Sequence, residues 1–217
     1  MTEVKEYSRG DYDPRADLKA HLEAQFASAL EEQTSLELAQ APPGGGVRQW
    51  EVYAWGPYQL PFDPLVDPGR IIFLGQKAFI GVAVWLNPQM CADLTAFKAK
   101  IELNFHTSNT QIMEPVPEMD YSCCIFTERG KCFYVTVWEF EPTEAACVLE
   151  TNICARVCNC DNSVVPGYAG FVRHVFDFDP SKLFPPPAPG WGFDRPIRYM
   201  VADPDHRCGC DPANPCP

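Results

Sequence analysis

The chain has 217 residues, 46% of them hydrophobic and 21% charged, with a formal net charge of −12 and a pI of about 4.7. That charge excludes a nucleic-acid grip built on clustered Lys and Arg, and it disfavours anionic membrane surfaces. Val, Ile, Leu and Phe make up 51 residues, enough to bury a core, while 22 prolines are too many for helix interiors and belong in loops, turns and strand edges.

The first residues, MTEVKEYSRGDYDP, carry charge with no apolar stretch behind it, so no secretory signal is expected. The longest strongly apolar run, Ala78 to Leu86, is too short to span a bilayer. The expected compartment is therefore the cytoplasm, or a particle or assembly released without a signal. The 11 cysteines are an odd number, which leaves at least one thiol unpaired within a monomer. A reducing cytosol keeps most of them as thiols, whereas release would let them cross-link neighbours.

Asp13-Pro14 is a helix start, because Asp accepts main-chain N–H bonds as a cap and Pro suits the first helical position. Leu18, Leu22, Phe26 and Leu30 follow at spacing four and make one apolar face, which predicts an amphipathic helix over about 14–40. Such a helix either packs on its own domain or docks as an arm on another subunit. Residues 1–41 hold nine acidic and four basic residues, so the arm is acidic. Ala41-Pro-Pro-Gly-Gly-Gly46 ends it and marks the clearest boundary in the chain.

From Trp50 the period changes to two. Trp50, Val52 and Ala54 alternate with Glu51, Tyr53 and Trp55, and Pro57, Pro61, Pro64 and Pro68 then punctuate a loop. Residues 70–74 and 78–86 flank Gly75-Gln76-Lys77, a hairpin signal, and residues 123–127 and 132–140 flank a second one at 128–131. Phe133, Val135 and Val137 share one face while Tyr134, Trp138 and Phe140 share the other, so this strand is expected at the centre of a sheet. Ile101, Leu103 and Phe105 alternate with polar residues as in a half-buried strand. Further strands are expected over 147–158, 171–178 and 195–202. Seven or eight strands without helix–strand alternation predict a mostly β protein, an antiparallel β-sandwich or jelly roll with an N-terminal helix. The expected organisation is an arm and hinge over 1–46, a sandwich over 47–202 and a Cys/Pro-rich tail over 203–217. That tail, DPDHRCGCDPANPCP, has no apolar run that could fold alone.

Three groups could carry chemistry. Cys154, Cys158 and Cys160 form one thiol group, and His206, Cys208, Cys210 and Cys216 another. Together they supply enough ligands for one tetrahedral zinc, but no Cys-x2-Cys loop is present to turn two sulfurs on one metal. On a strand Cys154, Cys158 and Cys160 point to one side, beside Asn152 and Arg156. Disulfide use competes with metal: Cys208 and Cys210 need a turn to pair, and Cys132 is placed to approach Cys123 or Cys124. No cofactor is otherwise expected. The second group sets carboxylates near histidine, at His174, Asp177 and Asp179 and at Asp203, Asp205 and His206, and reads best as a solvated face. The third is aromatic: Trp50, Tyr53, Trp55, Tyr58 and Phe62 lie within 13 residues, and Trp191 and Phe193 form a further pair. Displayed on loops such rings bind sugars or peptides; otherwise they fill core gaps.

Phosphate loops, Gly-x-Ser-x-Gly and His-Glu-x-x-His are absent from the sequence. The leading expectation is a non-enzymatic structural or assembly protein, a homo-oligomer or a partner of other subunits, joined through its termini with cysteine cross-links. The alternatives are a carbohydrate- or peptide-binding module using Trp50, Tyr53, Trp55 and Tyr58, and a zinc-type metalloprotein using Cys154, Cys158, Cys160, His206, Cys208 and Cys210.

Overall fold

Two Asx-Pro dipeptides start the two α-helices among the described residues. In the structure, a computed structural model, α1 spans Pro14–Glu37 and α2 spans Pro88–Ala96. Asp13 Oδ1 accepts from the main-chain N–H groups of Arg15 and Ala16 at 3.0 and 3.3 Å, and Asn87 Oδ1 accepts from that of Met90 at 2.7 Å. Each cap satisfies amide groups that the first helical turn leaves without intrahelical acceptors. The structure describes residues 13–37, 50–59, 69–159, 161, 163–171, 173–174 and 196–202, with the backbone path alone for most of 25–37 and for 164–174.

Eleven described strands form two sheets. Strands β1 (Trp50–Gln59), β3 (Ala78–Leu86), β7 (Phe133–Phe140) and β10 (Arg173–His174) make a four-stranded sheet in the order β10-β1-β3-β7. The second sheet runs β2 (Ile71–Phe73), β11 (Ile197–Ala202), β8 (Ala146–Cys158), β4 (Lys100–Asn109) and β5 (Glu114–Pro115). There β6 (Tyr121–Phe126) also pairs with β4, and β9 (Val164–Phe171) with β8. Pairing is antiparallel except at β1–β10 and β2–β11. The fold is a mostly β sandwich, as the strand pattern predicts.

Apolar residues at period two from both sheets meet between them. Ile80, Val82 and Val84 of β3 face a core that includes Ile101, Leu103 and Phe105 of β4 and Ile153, Ala155 and Val157 of β8. Burying each large aliphatic or aromatic side chain here contributes about 1.5–3 kcal/mol. Trp138 links the layers, with ring centroids 5.0 Å from Phe105 and 4.4 Å from Phe140. The hydroxyls of Thr107, Thr151 and Tyr199 are chained at 2.9 and 3.0 Å inside this core, so each buried oxygen has a partner. Burial pushes the Tyr199 phenol up to about 12 despite those bonds.

A second apolar cluster lies on the outer face of the smaller sheet. Leu18 and Leu22 of α1 are buried there against Tyr53, Trp55, Phe79, Ala83, Val135 and Val137. Gly81 of β3 makes the close approach feasible, since a Cβ at that position would stand 2.4 Å from Leu22 Cδ1. The helix-on-its-own-domain alternative for α1 is the arrangement seen.

Several expectations need correction. Residues 71–73 and 78–86 do not pair with each other: β2 joins β11 in one sheet while β3 joins β1 and β7 in the other. Likewise β6 pairs with β4 and β7 with β3. Both expected hairpins are instead arches that carry the chain across the sandwich. β7 is an end strand of its sheet among the described residues, not a central one. Its two apolar faces are explained by the opposite sheet on one side and α1 on the other. β1 also runs past Pro57, with a register shift between Trp55 and Tyr58, where a loop was expected. Helix α2 is absent from the sequence reading, although Asn87-Pro88 repeats the signal that marks α1. Cys132 bonds Cys91 of α2 rather than Cys123 or Cys124, with Cα atoms 5.3 Å apart. The crossing at 127–132 carries Cys132 away from β6 to the end of β3, where Leu86 N donates to its carbonyl.

Candidate functional site

The polar groups of the larger sheet gather on its outer face, because β4, β6 and β8 alternate inward apolar and outward polar side chains. Register sets the rows. Glu102 of β4 stands between Cys124 of β6 and Arg156 of β8, and Asn104 between Ser122 and Cys154. Arg156 Nη2 donates to Glu102 Oε1 at 2.8 Å, and Cys158 Sγ donates to Glu102 Oε2 at 3.5 Å. Ser122 Oγ donates to Asn104 Oδ1 at 2.7 Å. Further along the same face His106 Nδ1 lies 3.3 Å from Asp120 Oδ2, while Asp120 Oδ1 accepts from Thr107 N at 3.1 Å.

The electrostatics follow from these contacts. The Arg156 hydrogen bond holds the Glu102 carboxyl below its usual range. Burial raises the Cys158 thiol, and the carboxylate that accepts its proton raises it further. Burial raises Cys154 as well, against a smaller lowering by the Arg156 charge. The thiolate is the form that attacks electrophiles and ligates metals. Both cysteines are thus held in their less reactive form.

Sequence reasoning put Cys154 and Cys158 on one side of a strand beside Asn152 and Arg156, and the structure does so. It also sets the Arg156 cation between them, an unfavourable neighbour for a metal ion. Cys160, His206, Cys208 and Cys210 lie outside the described residues, as do Cys216, Asp177, Asp179, Asp203 and Asp205. Among the described residues no cluster of three or more His, Cys, Asp or Glu is placed to hold a metal. The partner that sequence reasoning missed is Glu102, which lies 54 positions from Arg156; no local signal announces that pairing.

The aromatic group does not form one platform. Trp50 faces the core between the sheets, half-buried. Tyr53, Trp55 and Tyr58 point the opposite way and are buried in the cluster that α1 covers, with Trp55 at 0% exposure. Their rings fill the space beneath a helix and offer no open face to a ligand while α1 is seated. Phe62, Trp191 and Phe193 lie outside the described residues.

Apolar side chains are exposed elsewhere. Ile71 and Phe73 of β2 and Met200 of β11 stand on the outer face of the larger sheet at 56%, 43% and 40% exposure. Met200 is the register partner of Ile71. No helix among the described residues is long and apolar enough to cross a membrane.

No protein-family model matches the chain, and no curated protein matches it. Among solved structures it is similar to a β-glucosidase from Listeria innocua in complex with isofagomine, at 10% identity and a TM-score of 0.31. That match covers 58% of this chain and 16% of the β-glucosidase, so the chain spans a small part of that enzyme's length. It is also similar to the CARDB domain of the PF1109 protein from Pyrococcus furiosus, solved in complex with di-metal ions. There identity is 14% and the TM-score 0.29, over 63% of this chain and 100% of that domain. Similarity at this level does not extend to function.

Proposed function

We propose that this chain is a non-enzymatic structural or assembly protein that associates with copies of itself. The observation that carries the reading is the seat of α1. A helix joined in sequence to the sandwich by residues 38–49, with Pro42-Pro43 and Gly44-Gly45-Gly46 among them, supplies Leu18 and Leu22 to the apolar cluster on the outer face of the smaller sheet. Exchange of such a covering element between identical chains is a low-cost route to dimers. The exposed Ile71, Phe73 and Met200 offer a further contact surface. Cys124 and Cys147 are exposed thiols able to cross-link neighbours outside a reducing compartment. The partners are protein rather than nucleic acid, given the −12 charge, and the setting is the cytoplasm or a particle assembled there.

Light scattering on the full chain at rising concentration, with and without reductant, tests this. A mass that grows with concentration and falls when thiols are reduced agrees with the proposal. A monomer under every condition rejects it.

A further inference from the structure

Among the described residues, six of the eight large hydrophobic side chains that stand exposed gather at one end of the larger sheet. They are Ile71 and Phe73 of β2, Met200 of β11, Val148 of β8, and Ile112 and Met113 in the turn between β4 and β5. Resting on the assembly reading, we propose that this band is where two copies of the chain meet, face to face about a two-fold axis that runs along β8.

Register makes the band continuous. Met200 pairs with Ile71, and it stands opposite Cys147 and Val148 where the β8–β11 pairing shifts between Tyr199–Leu149 and Val201–Ala146. The turn is tied to the same place, because Thr110 N and Oγ1 both donate to Val148 O, at 3.1 and 3.2 Å. Gln111 N donates to Asn109 Oδ1 at 3.1 Å, and Met113 takes a left-handed backbone at φ 59° and is 84% exposed. Non-glycine residues seldom adopt that backbone, so the turn presents Met113 at a conformational cost. Contiguous exposed apolar surface of this kind marks a contact site.

The charges at the two ends of the band point to a second copy as the partner. At the β2–β11 end, residues 69–77 and 196–202 carry Arg70, Lys77 and Arg198 and no acid. Lys77 is engaged by Glu139 of the other sheet, while Arg198 gives its Nε to Glu150 and still keeps 68% side-chain exposure. At the β4–β5 end, residues 108–126 carry Glu114, Glu118 and Asp120 and no basic residue. β8 is the middle strand in the order β2-β11-β8-β4-β5, so an axis along it lays the basic end of each copy over the acidic end of the other. Stacking like end on like end would set equal charges together and is repelled. An anionic membrane is opposed by the −12 charge. Cys147, an exposed thiol beside Val148, stands next to the axis.

Sedimentation of the full chain in reductant tests this, with the parent expected to dimerise. Met200→Glu, which buries a charge at the centre of the contact, should raise the dissociation constant about tenfold or more. Arg70→Glu and Glu114→Arg should each weaken the dimer by setting like charges against each other. Mixed one to one, those two variants should recover the parent's association, because every end then meets its opposite. Thermal midpoints check that each variant folds. On the parent chain, a short bismaleimide should join Cys147 of a 15N-labelled copy to Cys147 of an unlabelled one, read as a hybrid peptide by mass spectrometry. If a variant fails to fold, the hybrid decides alone. Dimers that ignore Met200→Glu, or that give no Cys147 hybrid, overturn the band as the contact and keep the assembly reading. Charge variants that change nothing, or a loss that mixing does not repair, overturn the two-fold arrangement and the inference with it. A monomer throughout rejects both this contact and the assembly reading.

Discussion

The side chain of Gln59, the last residue of β1, occupies the open edge of β2 at Phe73. Phe73 N donates to Gln59 Oε1 at 2.6 Å, and Gln59 Nε2 donates to Phe73 O at 2.9 Å. One amide side chain thus takes the place of a neighbouring strand and ties the two sheets together at the end of the sandwich. An end strand with free main-chain groups is a template for unwanted pairing, and this contact closes it. Replacing Gln59 with Leu should cost about 1–2 kcal/mol by chemical denaturation and increase aggregation on heating. Unchanged stability and aggregation would show that the edge is protected by something else.

Leu22 and Gly81 should be coupled energetically. Gly81→Ala places a methyl group against Leu22 and should cost about 1–3 kcal/mol through overpacking. Leu22→Ala opens a cavity and should cost about 2–5 kcal/mol. The double variant should lose less than the sum, because the new methyl enters the space the leucine vacates. A double-mutant cycle from urea titrations measures this, and strict additivity would show that the two residues do not meet.

The Cys91–Cys132 bond joins α2 to the chain just before β7 across a sequence separation of 41. A closed loop of that size restricts the unfolded chain enough to contribute about 4 kcal/mol in the chain-entropy account. Cys132→Ser in an oxidised preparation should therefore lower the denaturation midpoint clearly and remove most of the effect of added reductant on stability. If reductant shifts both proteins equally, the stabilising bond lies elsewhere.

Glu102 sets a pH dependence. Its folded pKa lies below the ordinary 4.5, so its contribution is present above that value and is lost as pH falls through the folded pKa. With Arg156 at 43% side-chain exposure, solvent screening limits that contribution to about 1 kcal/mol or less. Glu102→Gln should flatten the acid limb of the stability profile by that amount. It should also speed alkylation of Cys158, by removing the carboxylate that holds its proton. In the parent protein, exposed Cys124 and Cys147 should label with iodoacetamide well ahead of buried Cys158. Equal labelling rates would contradict the contacts drawn for Cys158.

Local chemistry was readable in this sequence and long-range pairing was not. Asp13-Pro14 announced α1, and alternation announced β4 and β8, because caps and period-two burial act over a few residues. Gly75 and Gly130 mark reversals, but a turn does not encode whether the next strand pairs with the last or crosses to the other sheet. The two-sided apolar β7 looked central because its sequence records burial, not what does the burying; the cover is α1, about 110 residues earlier by the numbering. Within the polar strip, the shared side of Cys154 and Cys158 follows from strand geometry. Their link to Glu102 depends on the β4–β8 register, which no short window contains.

The partnership of β2 with β11 bears on how the chain is made. Residues 71–73 have their strand partner at 200–202, so the sheet they belong to cannot be completed until residue 202 has left the ribosome. The arches at 74–77 and 127–132 replace two local hairpins with crossings between the sheets, which leaves β4–β5 and β8–β9 as the local pairings of the larger sheet. Completion of this sandwich accordingly depends on distant contacts, with apolar strands left waiting until β11 has been made. Expression at reduced temperature, or alongside chaperones that shield such strands, should raise the yield of folded chain.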